Sequence, residues 1–452
     1  MSVVSQNAGS RLAVLLAASI IIPACLVGGA LTFGLRLDSG TASAQSVNDP
    51  NPAVNNPDKF AWDLFIEVNR PALVGRRGVP DPNKKHGDPG PRVWETWKIT
   101  TENGNEVFLD NGRNPGPWET PQAKDAKGNL RKFLSPPKMR TIKFGFVDRG
   151  PSFEVTKAPP LDRDSQEARI NQVGYEFIVK EGLYSLDGQE RFRATQRKVE
   201  FPIGTINVKA HWREFTLEEI KGGVPARYYT AEDSGKVWGL TGFHMTSKDL
   251  PNWFWATFEH AENPPPEIRD RDRYTKLRDP SGRLREVPDP LKNTYWQYYV
   301  LRGTQVDFVD STGSPTILGN TQLEGGMQVT SSCMGCHARS TIGDRMDNII
   351  VNGRRLYPNG AYFFPSGKLT RIRKQPEAAA NRLTVNPVQV VLWREDPQKP
   401  EDPEKPDLTK VVHVMGAIGA PNPEWFIDSA GQRRYTQLDF IWGFLHAQRE
   451  NP

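Results

Sequence analysis

Residues 253–260, WFWATFEH, read as a strand. Aromatic and β-branched residues dominate the stretch, and side chains alternate across a strand, so Phe254, Ala256, Phe258 and His260 fall on one face. Similar texture surrounds it. From about residue 92 to about 310, aromatic and β-branched runs alternate with Gly, Pro and Asp punctuation. Candidate strands are TIKFGFV (141–147), YEFIV (175–179), INVKAHW (206–212), GLTGFHM (239–245) and YWQYYVL (295–301). The helical signal is thin there, with FTLEEI (215–220) as a short turn. The pattern predicts an α+β fold, with a β-rich body and short helices gathered near the termini and near one cysteine motif.

Helical spacing is clear in DKFAWDLFIEVN (58–69), which Arg70-Pro71 ends. A Gly/Pro-rich loop follows at 78–91. Residues 320–350 read as a short helix, the cysteine motif and a second short helix. Pro397, Pro400, Pro403 and Pro406 recur among alternating charges, which suits a solvated extended loop. YTQLDFIWGFLHAQ (435–448) is an amphipathic helix candidate. The expected organisation is a leader at 1–44, a β-rich body at 45–310, and a motif-bearing region at 311–452 packed with the body as one unit.

At the N-terminus Arg11 precedes an uncharged run from Leu12 to Leu35, and Ala42-Ser43-Ala44 fits a cleavage site before Gln45. That describes an export signal. The run exceeds the usual apolar region of about 7–15 residues and is long enough to span a bilayer, so a retained membrane anchor is the alternative to cleavage. The expected location is periplasmic. The formal net charge of +5 is mild for 452 residues and argues against a nucleic-acid partner, which needs concentrated basic stripes.

Of three cysteines, Cys25 lies in the leader, which leaves Cys333 and Cys336. An exported chain stapled by disulfides would carry more, spread along its length. Here both thiols sit in SSCMGCHARS (331–340), beside His337. CxxCH is the attachment signature of c-type haem: two thiols form thioethers to the vinyl groups, and the imidazole, one helical turn from Cys333, ligates the iron. A zinc reading needs two further ligands, and neither a further cysteine nor an HxxxH pair is present. A redox dithiol would expect a thioredoxin-like βαβ context, which the neighbouring sequence does not supply. The haem reading is therefore favoured, with one covalently bound haem c, whose attachment occurs outside the cytoplasm.

A second axial ligand is usually Met or His. Met346 is too close behind the motif to leave room for a helix. His260, on a dry aromatic strand face, is the first candidate for the distal side of the iron; its alternative is a core histidine hydrogen-bonded through both nitrogens. His244, in TGFHMTS, is the second candidate. Met245 and Met415 read as core fillers, His86 as solvated, and His211, His413 and His446 as structural or exposed. Arg339 could pair with a haem propionate, though a solvated arginine is the simpler reading. YPNGAYFFPSGKLT (357–370) departs from a phosphate loop at Tyr362 and Leu369. No HExxH, GxSxG or dinucleotide fingerprint is present, and no catalytic residue stands out.

The chain resembles a family of large exported bacterial cytochrome c family proteins with a single late CxxCH motif. The resemblance runs almost end to end. It is carried by AWDLFIEVNRP (61–71), VWETWK (93–98), YEFIVKEGLYSLDG (175–188), FPIGTINVKAHW (201–212), GFHM (242–245), WFWATFEH (253–260), NTQLE (320–324), SSCMGCHA (331–338) and LDFIWGF (438–444). It implies haem c binding through Cys333, Cys336 and His337, and it places His244 and His260 inside family-like stretches. Small carrier cytochromes differ, being short with an early CxxCH, so their fold and their methionine ligand do not transfer. The expected function is electron transfer with a redox partner protein or a small-molecule donor or acceptor. The alternatives are a haem c-dependent oxidoreductase, peroxidase-like or oxidising a small molecule, with an open distal site, and a haem-based sensor.

Overall fold

A computed structural model describes residues 51–124, 128–134, 163–263, 287–324, 332–342 and 431–450, apart from a few positions inside these ranges, and four short strands between 349 and 414. The leader run Leu12–Leu35, TIKFGFV, Met346, Met415 and Arg339 lie outside the described residues. All the described residues belong to one compact unit, Ala44–Pro452. Among them, no helix is long and apolar enough to cross a membrane.

The centre is a seven-stranded antiparallel sheet. Its strands are β1 (Lys98–Ile99), β2 (Asp164–Ile170), β3 (Ile206–Glu214), β4 (Thr230–Asp233), β5 (Lys236–Ser247), β6 (Phe254–His260) and β7 (Tyr299–Gln305). They lie in the order β1-β2-β3-β5-β6-β7, with β4 pairing on β5. A tight hairpin joins β4 to β5 through Ser234 and Gly235, both at positive φ, the geometry that matches the twist of paired strands. Beyond this sheet, β8 (Thr341–Ile342) pairs with β13 (Thr436–Gln437), β9 (Ile349–Val351) with β10 (Arg354–Leu356), and β11 (Val391–Trp393) with β12 (Val411–Val414). The helices used below are α1 (Pro52–Asn55), α2 (Pro57–Val68), α3 (Gln172–Lys180), α4 (Leu186–Ala194), α5 (Leu217–Lys221) and α6 (Cys333–His337). A mostly antiparallel sheet with a few short helices is an α+β arrangement.

All seven residues of β6 are buried, because both faces of the sheet are covered. One face carries Val208, Ala210 and Trp212 of β3, Phe243 and Met245 of β5, and Phe254, Ala256 and Phe258 of β6. Helix α2 lies on it. Phe60 meets Phe254 edge-on at 4.7 Å, Trp62 meets Phe258 at 4.8 Å, and Phe65 stacks on Phe258 at 4.2 Å. Burying a ring such as Phe65 contributes on the order of 2–3 kcal/mol. The helix starts at Pro57 after the Asn56 cap, and Asn69 closes it by donating to the Phe65 carbonyl at 2.8 Å and accepting from Trp94 Nε1 at 3.0 Å.

The same face buries charge at its β2 end. Lys132 bridges the carboxylates of Glu95 and Glu167, the latter at 2.8 Å, and Arg169 pairs with Glu167 at 2.8 Å. The Tyr229 hydroxyl donates to Glu95, and Trp212 Nε1 donates to Glu167 at 3.1 Å. Opposite charges and donors hold the Glu167 carboxyl down at about 2 against a burial penalty that acts the other way.

Three expectations are corrected. YEFIV belongs to helix α3, which Asn171 caps by accepting from Gly174 N; the nine residues from Gln172 follow a helical period that a strand reading passed over. The segment 435–448 holds no α-helix: β13 is followed by a turn in which Asp439 and Phe440 have φ of 46° and 70°, then a 3-10 turn at Trp442–His446. Directly behind the motif the described residues Thr341–Ile342 form strand β8, not the start of a second helix.

Candidate functional site

The opposite face of the sheet is polar. The register sets Lys209 and His211 of β3, Gly242, His244 and Thr246 of β5, Trp255, Thr257 and Glu259 of β6, and Gln305 of β7 on it. The five-residue helix α6 docks here. A helix that short has no stability of its own, so tertiary contacts must hold it. Ser332 caps it, accepting from Gly335 N at 3.0 Å, and Gln305 Nε2 donates to the Ser332 hydroxyl at 2.8 Å. Gln305 Oε1 in turn accepts from Met334 N at 3.1 Å, and Met334 is fully buried.

Cys333 is buried with its sulfur 3.8 Å from the Leu318 carbonyl, and Cys336 is half-buried; they form no disulfide. Burial, with Glu324 nearby, pushes the Cys333 thiol well up, so it stays protonated. His337 Nδ1 donates to the Phe440 carbonyl at 2.7 Å. That bond sets the tautomer, with the proton on Nδ1 and the lone pair on Nε2, as metal-ligating histidines are commonly held. Burial pushes His337 down to about 4, which keeps the imidazole in its neutral, ligating form. The Trp255 ring flanks it at 4.7 Å.

Phe440 is held in place through its neighbour. The Asp439 carboxylate accepts from Phe201 N at 2.7 Å, Lys248 Nζ at 2.7 Å and Trp253 Nε1 at 3.1 Å. Two consecutive non-glycine residues at positive φ are costly, on the order of 1–3 kcal/mol each, and these three bonds offset that.

The loop 320–324 closes one side of the site. Asn320 donates to Thr257 Oγ1 at 2.8 Å and the Phe258 carbonyl at 3.0 Å, and a Cβ on Gly242 would stand 3.0 Å from its Oδ1, a tight fit that glycine avoids. The Glu324 carboxylate accepts from Asn320 N at 2.8 Å and lies 3.5 Å from His244 Nε2. Burial raises Glu324 to about 7, lowers Lys209, and lowers His244 well below the usual histidine value. Yet the His244 and Glu324 side chains keep 16 % and 17 % of their exposure. Groups that are desolvated by surrounding protein and still touch solvent line a recess.

The two distal-side candidates fare differently. His244 is on the motif's face. His260 is not: it extends the Phe254–Phe258 row on the α2 face, stacks on Tyr228 at 3.5 Å, bonds the Arg227 carbonyl through Nε2 at 2.9 Å, and accepts from Glu262 N through Nδ1 at 3.2 Å. Both nitrogens are taken and the sheet separates the ring from His337, so His260 is a core histidine and the expectation of a distal ligand there is withdrawn. Met245 is core, as expected. His86 is half-buried rather than solvated, with Nε2 2.9 Å from the Ile66 carbonyl. His211 is buried against Thr241 Oγ1 at 2.7 Å. Sequence reasoning missed Lys209, Glu324, Trp255, Gln305 and the Asp439–Phe440 turn. Only Lys209 left a signal, as an ammonium between the buried positions Val208 and Ala210.

The donor set suits a c-type haem. Two thiols and a neutral imidazole with a spare Nε2 stand at a recess, and one buried ring nitrogen there, His244 Nε2, lacks a hydrogen bond. Among the described residues no group of three or more His, Cys, Asp and Glu side chains is arranged to hold a metal ion by itself. Comparison with protein-family models, curated proteins and solved structures finds no match to this chain.

Proposed function

We propose that the chain is an exported, single-haem c-type cytochrome that works in electron transfer, with haem c held by Cys333, Cys336 and His337. One observation carries the reading: the His337 Nδ1–Phe440 hydrogen bond leaves Nε2 as a lone-pair donor beside the two thiols. When bound, the haem supplies an iron centre that accepts and releases one electron. The chain's own part is to fix that imidazole, to exclude water with Trp255 and the buried cysteine turn, and to tune the centre through Phe440. The resemblance of the flanking stretches to exported cytochrome c proteins supports the reading, as does the leader, since haem c is attached outside the cytoplasm. A periplasmic location follows, soluble or tethered by the N-terminal segment, with a redox protein or small molecule as partner.

Haem staining that survives denaturation, together with a pyridine haemochrome spectrum, tests attachment; a colourless protein matured in a haem c-attaching host overturns it. A low-spin spectrum indifferent to carbon monoxide and cyanide is expected for transfer. A second reading, a haem c-dependent oxidoreductase with an exchangeable distal side, is favoured by the polar recess of Lys209, His244 and Glu324. A high-spin ferric spectrum that shifts on ligand addition selects it.

A further inference from the structure

We propose that Lys209 and His244, directly opposed on neighbouring strands, form an anion subsite in the recess beside the motif, taking the carboxylate or oxyanion group of a small ligand. In placing this subsite beside an iron ligand, the inference rests on the haem reading above. Lys209 and His244 are register partners across β3 and β5, so their side chains rise from the same face with Cβ atoms about 5 Å apart. Among the described residues the Lys209 ammonium makes no hydrogen bond and no ion pair within 4.0 Å. Glu324 is the opposite charge that acts on it most, but from beyond that distance. His244 Nε2 is buried and also lacks a hydrogen bond.

A ring nitrogen withdrawn from water without a partner is costly to leave unmet, and the half-buried Lys209 opposite it supplies a positive charge. A carboxylate or small oxyanion offers both what they lack, a negative charge for the ammonium and an acceptor for a proton on Nε2. One lysine and one histidine match a monoanion, not a polyphosphate. Glu324 does not already fill the role, since one of its oxygens is committed to Asn320 N and its 3.5 Å approach to His244 makes no hydrogen bond. Its carboxylate opposes an anion instead, which gives the proposal two variants of opposite sign. The anion has two sources of the same chemistry: a propionate of the haem, or a free monoanion such as formate or nitrite.

The test uses haem-loaded protein, titrated with formate and nitrite in the ferric state and poised in a spectroelectrochemical cell. If the anion is free, the Soret band of the wild type shifts saturably, K209Q weakens binding at least tenfold, K209R retains it, and E324Q tightens it. If the anion is a propionate, neither salt acts, K209Q lowers the midpoint potential by removing a positive charge, and K209R restores it. The subsite is overturned when the salts do nothing and K209Q leaves the potential unchanged, or when K209Q binds as tightly as the wild type. A low-spin to high-spin change in H244A would assign His244 to iron and overturn it too. Should K209Q not fold, E324Q decides: unchanged affinity and potential reject the subsite. If the protein proves colourless, the haem reading fails alone; formate-dependent thermal stabilisation lost in K209Q keeps the subsite, and no stabilisation rejects both.

Discussion

The Phe440 carbonyl oxygen stands 2.7 Å from His337 Nδ1, and it is offered by a residue whose φ is 70°. An aromatic residue does not adopt that backbone unaided. It does so here because Asp439, itself at 46°, is tied to Phe201 N, Lys248 and Trp253. The hydrogen bond that orients the motif imidazole therefore depends on a carboxylate that never touches it.

Asp439→Ala leaves the buried Lys248 ammonium without its carboxylate, and breaking a buried pair costs about 3–5 kcal/mol. Urea unfolding should show that loss. In the haem-loaded protein the midpoint potential should rise, because an imidazole without its Nδ1 acceptor is a weaker donor to oxidised iron. A potential equal to wild type would detach Asp439 from His337.

Ser332→Ala removes the cap of α6 and one partner of Gln305. The expected destabilisation is about 1–2 kcal/mol. Because a five-residue helix has little else to hold it, the fraction of protein that acquires covalent haem should also fall, read as the ratio of Soret to protein absorbance. An unchanged ratio would show that attachment tolerates a loose motif turn.

His260→Ala should leave the haem spectrum as it is, since the ring lies across the sheet from His337. Its effect belongs to stability and pH. Burial pushes His260 down to about 4, below its usual value near 6.5, so the folded state binds fewer protons than the unfolded chain in between. The neutral ring's contribution is fully present above about pH 6.5 and is lost as pH falls toward 4, a swing on the order of 3 kcal/mol. Unfolding free energies at pH 7.5, 5.5 and 4.5 should fall less steeply in His260→Ala than in the wild type; parallel profiles would refute the assignment.

Lys132→Met strips the bridging cation from Glu95 and Glu167 while filling the space between Trp94 and Trp212. Arg169 still serves Glu167, so the burden falls on Glu95, and a loss of about 3 kcal/mol is expected. The companion Glu95→Gln/Lys132→Met double variant should recover part of it, a coupling that urea titration of both can measure.

Much of this was legible in residues 253–260. Their alternation identified a strand and assigned Phe254, Ala256, Phe258 and His260 to one face. It could not say which face the motif would choose, because both are buried and a dry aromatic row is equally good core. Of the two readings of His260, the core histidine bonded through both nitrogens is the one that holds. Lys209 and Glu324 were hidden for a different reason: their proximity is a matter of strand register and a loop closing over Gly242, neither of which is local. In 435–448 the apolar spacing favoured a helix, and the bonds to Asp439, made by residues far away in sequence, overrode it. The CxxCH pattern is legible because its signature lies within five residues, although Gln305 and Phe440 hold the turn that carries it.

The unlike coverings of the central sheet bear on how this protein could change over time. Each strand offers its odd and even positions to different audiences, one to packing and one to chemistry. Substitutions at Lys209 or His244 change the polar face without touching the rings stacked behind Phe258. The sheet works as a bulkhead, and the compartment beside the motif is the one that selection can refurnish without rebuilding the hull.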